Sequence, residues 1–146
     1  MGSLPPQGSS GGDATAGGGG QVITSSQDEA FVAITTYANA LVVDLQTIKD
    51  SVFQVFNTSG IALQYKVFAS PKVQVDAPAD ADDSWRNILN GRTNTPSDYN
   101  HALERTIPAN GQQTESLDNA FAWARIQIKS SSGTPTVKVW HRGTVP

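Results

Sequence analysis

Tryptophan, arginine and lysine residues alternate with small or apolar residues in two segments near the end of the chain, 121–129 and 136–142. Successive side chains of an extended strand point to opposite faces, so each segment places its aromatic and cationic residues on one face. A guanidinium group is attracted to an indole ring, and tryptophan and arginine dominate many protein interfaces. The pattern therefore indicates a docking surface for another subunit. The candidate binding residues are Trp123, Arg125, Lys138, Trp140 and Arg142.

The apolar residues of the same two segments predict that they pair as a hairpin. A register that brings their isoleucine and valine side chains together sets Arg125 opposite Trp140 and Trp123 opposite Arg142. A slip of one residue would turn every apolar side chain outward, so the pattern favours this register. The resulting cation–π ladder has three interpretations that the sequence leaves open: a docking face, a contact that stiffens the sheet, or a surface that lies under the second layer of the fold.

Catalytic and metal-binding patterns find little support in the chain. It lacks the G-x-S-x-G, P-loop and H-E-x-x-H motifs. The absence of cysteine excludes a thiolate zinc site, a cysteine nucleophile and a disulfide scaffold. Asp76, Asp80, Asp82 and Asp83 crowd into one segment, but they lack the spacing and the distal glutamate of an EF-hand calcium loop. We expect a protein that is not an enzyme and that uses no cofactor or metal.

Length and charge limit the classes of partner. The chain has 146 residues, which suits a single domain of roughly 100–150 residues, and its formal net charge is −3. Charged residues make up 16% of the chain, against about 25% in a typical protein, so nothing points to a nucleic acid partner. No apolar stretch approaches the roughly 18–20 residues that cross a bilayer, and the first residues lack the pattern of a secretion signal. We expect a soluble domain without membrane contact.

Short β-strands separated by turns are the expected elements. Alternating polarity and β-branched or aromatic residues favour strands at 31–37, 41–45, 51–56, 61–67, 85–89, 103–107, 121–129 and 136–142. The segment at 85–89 also allows a helical turn, and 97–103 allows a short helix. Residues 57–60 (NTSG) supply turn chemistry between the third and fourth strands, which predicts a hairpin. About eight short strands without a long helix predict an all-β fold, an antiparallel β-sandwich or jelly roll.

The first twenty residues differ from the rest in composition. They hold eight of the thirteen glycines and no aromatic residue, so they cannot bury enough apolar surface to offset the entropy cost of ordering. We expect residues 1–20 to form a flexible, disordered or strap-like N-terminal arm and residues 21–146 to form the β-sandwich domain. A Gly-rich coil of this length reaches roughly 25 Å, which is far enough to touch a neighbouring subunit.

Residues 51–72 (SVFQVFNTSGIALQYKVFASPK) and 121–143 (FAWARIQIKSSSGTPTVKVWHRG) resemble small β-sandwich structural proteins of tailed-bacteriophage virions, in particular head decoration or cement proteins. The resemblance covers about a third of the chain and rests on strand patterns. It implies a virion protein, assembled in the host cytoplasm, whose copies bind the major capsid protein or other virion subunits and stabilise the capsid lattice. It also implies a homo-oligomer, either a dimer or a trimer.

Three other functions stay open at this point. A carbohydrate-binding β-sandwich module would stack a sugar ring on Trp85, Trp123 or Trp140. An accessory protein of the phage neck or tail would share the strand pattern but occupy another place in the virion. A small hydrolase on a β scaffold is the third, although no motif favours it.

Overall fold

The computed structural model describes residues 23–89, 103–117 and 121–144, and within these ranges the chain forms nine β-strands and no helix. The strands are β1 (Ile23–Val32), β2 (Ala38–Asp44), β3 (Asp50–Phe56), β4 (Leu63–Ser70), β5 (Arg86–Asn87), β6 (Arg105–Ile107), β7 (Gln112–Leu117), β8 (Trp123–Ser130) and β9 (Thr136–Thr144). The expectation of an all-β fold is therefore confirmed. No helix of the described residues is long and apolar enough to cross a membrane.

The strands form two antiparallel sheets that make a β-sandwich. The first sheet has the order β1-β9-β3-β7, and the second has the order β2-β8-β4-β5, with β6 also paired to β4. The pairs are nested along the chain: β1 pairs with β9, β2 with β8, β3 with β7 and β4 with β6. Rolling up one long antiparallel ribbon of four strand pairs produces this order, which is that of a jelly roll.

The nested pairing shows that two predicted hairpins are wrong. β3 and β4 lie in different sheets, and so do β8 and β9. Each of these strands pairs with strands that are distant in the sequence, because the ribbon folds over as a whole. The connections at 57–62 and 131–135 therefore cross from one sheet to the other.

Asn57 fixes the first of these crossings with its buried side chain. Its Oδ1 atom accepts hydrogen bonds from the backbone N–H and the hydroxyl of Ser59, at 3.1 and 2.7 Å. Its Nδ2 atom donates to the carbonyl oxygens of Ile61, at 2.7 Å, and Pro108, at 3.0 Å. The turn chemistry predicted at this position is present, but it connects two sheets instead of closing a hairpin.

The strand predicted at 31–37 overlaps β1 in its first two residues only, and the other seven predicted segments also each overlap a strand. β1 ends at Val32, and the residues after it bridge the two sheets. The Ala33 N–H donates to the Pro135 carbonyl oxygen at 2.9 Å, and the Ile34 carbonyl oxygen accepts from the Ser130 N–H at 2.7 Å. The predicted arm at 1–20 lies outside the described residues, as does most of the alternative helix at 97–103.

The inner faces of the two sheets form the core. Alternate residues of β4, β8 and β9 lie inside, as their polarity pattern predicted. The buried members are Leu63, Tyr65, Val67, Ala124, Ile126, Ile128, Val137 and Val139. Burial of each large apolar side chain contributes about 1.5–3 kcal/mol, so this alternation fixes which face of each strand points outward. The candidate binding residues lie on those outward faces.

Candidate docking surface

The five candidate binding residues do not form one cation–π ladder. Trp123 and Arg125 lie on β8 of the second sheet, and Lys138, Trp140 and Arg142 lie on β9 of the first sheet. The partner of Arg125 across β2 is Val42, and the partner of Trp140 across β3 is Gln54. The predicted pairing of Arg125 with Trp140 and of Trp123 with Arg142 is therefore wrong. The outer faces of β8 and β9 belong to opposite sides of the sandwich.

The outer face of the second sheet is covered by the chain itself around Phe68, Trp123 and Arg125. Residues 71–85, which connect β4 to β5, lie over it. Trp123 is 7% exposed and Arg125 is 3% exposed under this cover. The Arg125 guanidinium lies 4.5 Å from the centre of the Trp85 ring and 4.7 Å from that of Phe68. Arg125 therefore meets aromatic rings, as its type suggested, but they are rings of the same chain and they are buried.

The acidic segment holds this cover in place. Asp80 Oδ1 pairs with Arg125 Nη1 at 3.1 Å and accepts a hydrogen bond from Asn39 Nδ2 at 2.9 Å. Lys72 Nζ lies 2.7 Å from Asp82 Oδ2, and its hydrogen bond lowers the pKa of Asp82. Burial lowers the pKa of Arg125, and the charge of Asp80 opposes that shift. Asp80 and Asp82 are therefore ion-pair partners of Arg125 and Lys72. No cluster of three metal-binding side chains occurs in the described parts of the chain.

The outer face of the first sheet has no such cover among the described residues. The outward residues of β9 are exposed or half-buried from Thr136 to Thr144. The β3 residues beside them in the register are Val52 next to Arg142, Gln54 next to Trp140 and Phe56 next to Lys138. We call these six residues together with Gln112 of β7 the β9 surface. Its members are Val52, Gln54, Phe56, Gln112, Lys138, Trp140 and Arg142.

A shallow groove of about 300 Å³ runs across the β9 surface. It is lined by Val52, Gln54, Gln112, Trp140 and Arg142, which come from three adjacent strands. The Gln54 Nε2 atom donates to Gln112 Oε1 at 2.9 Å, so the two amides hold each other in a fixed orientation. A second hollow of about 390 Å³ shares Val52 and Arg142 and extends toward Asp50 and Thr144. The groove therefore combines one indole ring with amide and guanidinium groups on a rigid sheet.

His141 lies on β9 between Trp140 and Arg142 but belongs to the core. Its ring is fully buried and meets the Phe53 ring edge-on, with the ring centres 5.3 Å apart. Neither ring nitrogen has a hydrogen-bond partner among the described residues. Burial lowers the pKa of His141 to about 4, so the ring is neutral at pH 7. His141 therefore takes no part in the docking surface.

Sequence reasoning missed four members of the β9 surface: Val52, Gln54, Phe56 and Gln112. The alternation of 51–56 carries the signal for the first three, because it places them on one face of a strand. Gln112 belongs to β7, whose sequence QQTESL has one apolar residue and no strand pattern. No local sequence pattern indicates that β3 and β9 are neighbours, because their pairing depends on the nested order of the strands.

Comparisons with known proteins add the following. A scan against protein-family models finds no match, and a search of curated proteins finds none either. A solved structure from Bacillus endospore appendages, described as forming a family of disulfide-linked pili, is similar to this chain with a TM-score of 0.48 and 13% identity. The match covers 92% of this chain and 99% of that chain. This chain has no cysteine with which to form a disulfide link.

Proposed function

We propose that the chain is a structural protein of a phage virion that decorates the capsid, docking through the β9 surface on the major capsid protein or another virion subunit. The observation that carries this proposal is the difference between the two outer faces. The chain's own residues 71–85 cover Trp123 and Arg125 on one sheet, whereas Lys138 and Arg142 are exposed and Trp140 is half-buried on the other. The resemblance of 51–72 and 121–143 to head decoration proteins supports the same role.

The β9 surface has the chemistry of a protein docking face. Tryptophan and arginine are the usual anchors of binding energy in protein interfaces. Here they stand on paired strands, so the backbone that carries them is already ordered before a partner binds. Lys138 and Arg142 make no ion pair with a described residue, and their charges suit acidic groups of a partner.

Imaging of particles tests this proposal. The full chain is expressed with an affinity tag in its native host, and particles that co-purify with it are imaged and the copies per particle counted. We expect copies at symmetric positions on the capsid shell. The double variant Trp140→Ala/Arg142→Ala is expected to bind at least about tenfold more weakly, a change of about 1.4 kcal/mol. The control is Thr106→Ala, at an exposed position of β6 on the other sheet.

Three outcomes would contradict the decoration role. The first is that the chain is absent from every particle. The second is that the double variant occupies particles as fully as the unaltered chain. A third outcome places the copies at the neck or the tail, which would assign the chain to the accessory proteins of those parts.

Saccharide binding is a second candidate function, favoured by one observation. Of the three tryptophans that sequence reasoning offered as stacking platforms, Trp85 and Trp123 are buried and Trp140 alone borders a groove. The Gln54 Oε1 and Gln112 Nε2 atoms bond no described residue. An indole face beside amide and guanidinium groups suits the apolar face and the hydroxyls of a sugar.

Both candidate functions use the same groove, so a comparison of the ligands that the chain binds is needed to separate them. The purified full chain is applied to a glycan array and to immobilised capsid shells that lack it. Binding to a glycan that Trp140→Ala abolishes, without binding to shells, would assign the surface to a saccharide. Binding to shells alone would leave the decoration role.

A further inference from the structure

Two short apolar strips stand out on the surface of the described residues. The large hydrophobic side chains that are most exposed there are Val32 at 53%, Ile34 at 43%, Val73 at 80% and Val75 at 91%. They form two pairs, and within each pair the residues are two positions apart. We call Val32 and Ile34 the first strip and Val73 and Val75 the second strip.

The two strips lie at opposite ends of the sandwich. The Ile34 carbonyl oxygen accepts from the N–H of Ser130, the last residue of β8. The Gln74 carbonyl oxygen accepts from Gln46 Nε2 at 2.9 Å, and Gln46 closely follows Asp44, which pairs with Trp123 at the start of β8. β8 has eight residues, so its ends are roughly 23 Å apart at about 3.3 Å per residue.

The second strip is held firmly, and the peptide groups of its two valines bond no described residue. Lys72 on one side of it is tied to Asp82, and Gln74 at its centre is tied to Gln46. The peptide groups of 71–78 make no hydrogen bond to the backbone of another described residue. Because the Lys72 N–H and the carbonyl oxygens of Gln74 and Asp76 are bonded to side chains, the contacts that this ordered segment offers a partner are the two exposed valine side chains and the valine peptide groups.

The charges around the two strips are complementary. Asp76 adjoins the second strip and Asp83 lies in the same connection; both are exposed, and neither pairs with a described cation. The first strip lies beside the cation Lys138, which stands two residues along β9 from Thr136, the partner of Val32, and makes no ion pair with a described residue. Lys129, which precedes Ser130, is paired with Glu104 at 4.0 Å. A surface with apolar and cationic groups at one end fits one with apolar and acidic groups at the other.

We propose that the partner of the second strip is the first strip of another copy of this chain, so that copies associate head to tail. Because the two strips are different surfaces, the contact is heterologous and leads to a closed ring or an open chain of copies. Two side chains on each side bury far less than the about 1,200 Å² of a stable interface. The contact is therefore weak for a single pair and gains strength where many copies are held side by side.

Two complementary variants test the contact on the full chain alone. One carries Val73→Lys/Val75→Lys and the other carries Val32→Lys/Ile34→Lys. Sedimentation velocity and light scattering are measured from about 10 µM to about 1 mM, the range that weak association requires. We expect the unaltered chain to form assemblies that grow with concentration and each variant alone to stay monomeric. An equimolar mixture of the variants is expected to form dimers and nothing larger, because each variant keeps one intact strip.

The controls and the contrary outcomes are as follows. Thr106→Lys/Thr114→Lys adds the same charge at two other exposed positions and is expected to assemble like the unaltered chain. An unaltered chain that is monomeric at every concentration would overturn the proposal, as would a mixture that stays monomeric. Dimers of the Val32→Lys/Ile34→Lys variant alone would show that the second strip binds itself. The measurement involves no particle, so its result is independent of the proposed decoration role.

Discussion

His141 links the stability of the domain to pH through a single side chain. The pKa of a histidine in an unfolded chain is about 6.5, and burial lowers the pKa of His141 to about 4. Between these values the unfolded state binds a proton that the folded state excludes, so the free energy of unfolding falls as the pH falls from about 6.5 to about 4. The full stabilisation is present above pH 6.5. The loss amounts to about 3 kcal/mol at the acidic end of this window.

Urea unfolding of the unaltered chain and of His141→Leu, each at pH 7 and pH 4, measures this loss. The leucine variant keeps an apolar side chain in the core and removes the titrating ring. We expect the unaltered chain to lose about 3 kcal/mol more than the variant between the two pH values. Equal losses would mean that protonation of His141 contributes nothing, since the acidic groups titrate in both proteins.

Arg125 contributes to stability mainly through its stem and its planar head group, which fill the space between Trp85 and Phe68. Replacement by alanine leaves a cavity there, and we expect Arg125→Ala to lower the free energy of unfolding by about 2–4 kcal/mol. Arg125→Met keeps most of the volume and is expected to recover more than half of that loss, because the ion-pair partner Asp80 is 76% exposed and such a pair contributes little net stability. Urea unfolding measures both variants. If Arg125→Met recovers none of the lost unfolding free energy, the charge of Arg125 contributes more to stability than its packing does.

At the scale of elements, residues 71–85 cover part of the outer face of the second sheet. Trp85 anchors this segment, since the ring is buried against Trp123 and its Nε1 atom donates to the Ala79 carbonyl oxygen at 3.0 Å. We expect Trp85→Ala to cost about 3–5 kcal/mol of unfolding free energy and to shift the fluorescence of the remaining tryptophans toward that of exposed rings. Trp140→Ala, on the uncovered sheet, is the matched control and is expected to cost less than about 1 kcal/mol. Similar losses in both variants would contradict the assignment of one covered and one open face.

The sequence pattern predicted the positions of the strands better than it predicted which strands pair. The inward face of β8 and β9 followed from alternation, because Ala124, Ile126 and Val139 must leave water. The first eight of the ten residues of β1 (ITSSQDEA) and all of β7 (QQTESL) gave no strand signal. Both are edge strands of the first sheet, where one side of the backbone faces solvent and polar residues are tolerated. Local alternation also cannot distinguish a hairpin from a crossing between sheets, which is why the Arg125–Trp140 pairing was wrong.

At the scale of the whole molecule, the nested pairs bring the two ends of the described chain together. β1 and β9 lie side by side in the first sheet, so the outermost pair of the ribbon joins residues at the greatest separation in the sequence. Pairing at such separation requires closure of long loops, which makes folding slow, in the order of milliseconds to seconds. The same pairing shields one edge of β9, the strand that carries Lys138, Trp140 and Arg142, behind β1.

Two deletions test what the N-terminal segment contributes. Every described strand pair begins at or after Ile23, so removal of residues 1–20 is expected to change the free energy of unfolding by less than about 0.5 kcal/mol. Under the proposed decoration role, the same deletion weakens particle binding at least several-fold, because a tether makes the second contact intramolecular. Removal of residues 1–32 also deletes β1 and uncovers the edge of β9, and this longer deletion is expected to aggregate. Urea unfolding, light scattering and particle occupancy measure the three effects, and full occupancy after the short deletion would show that the arm plays no part in docking.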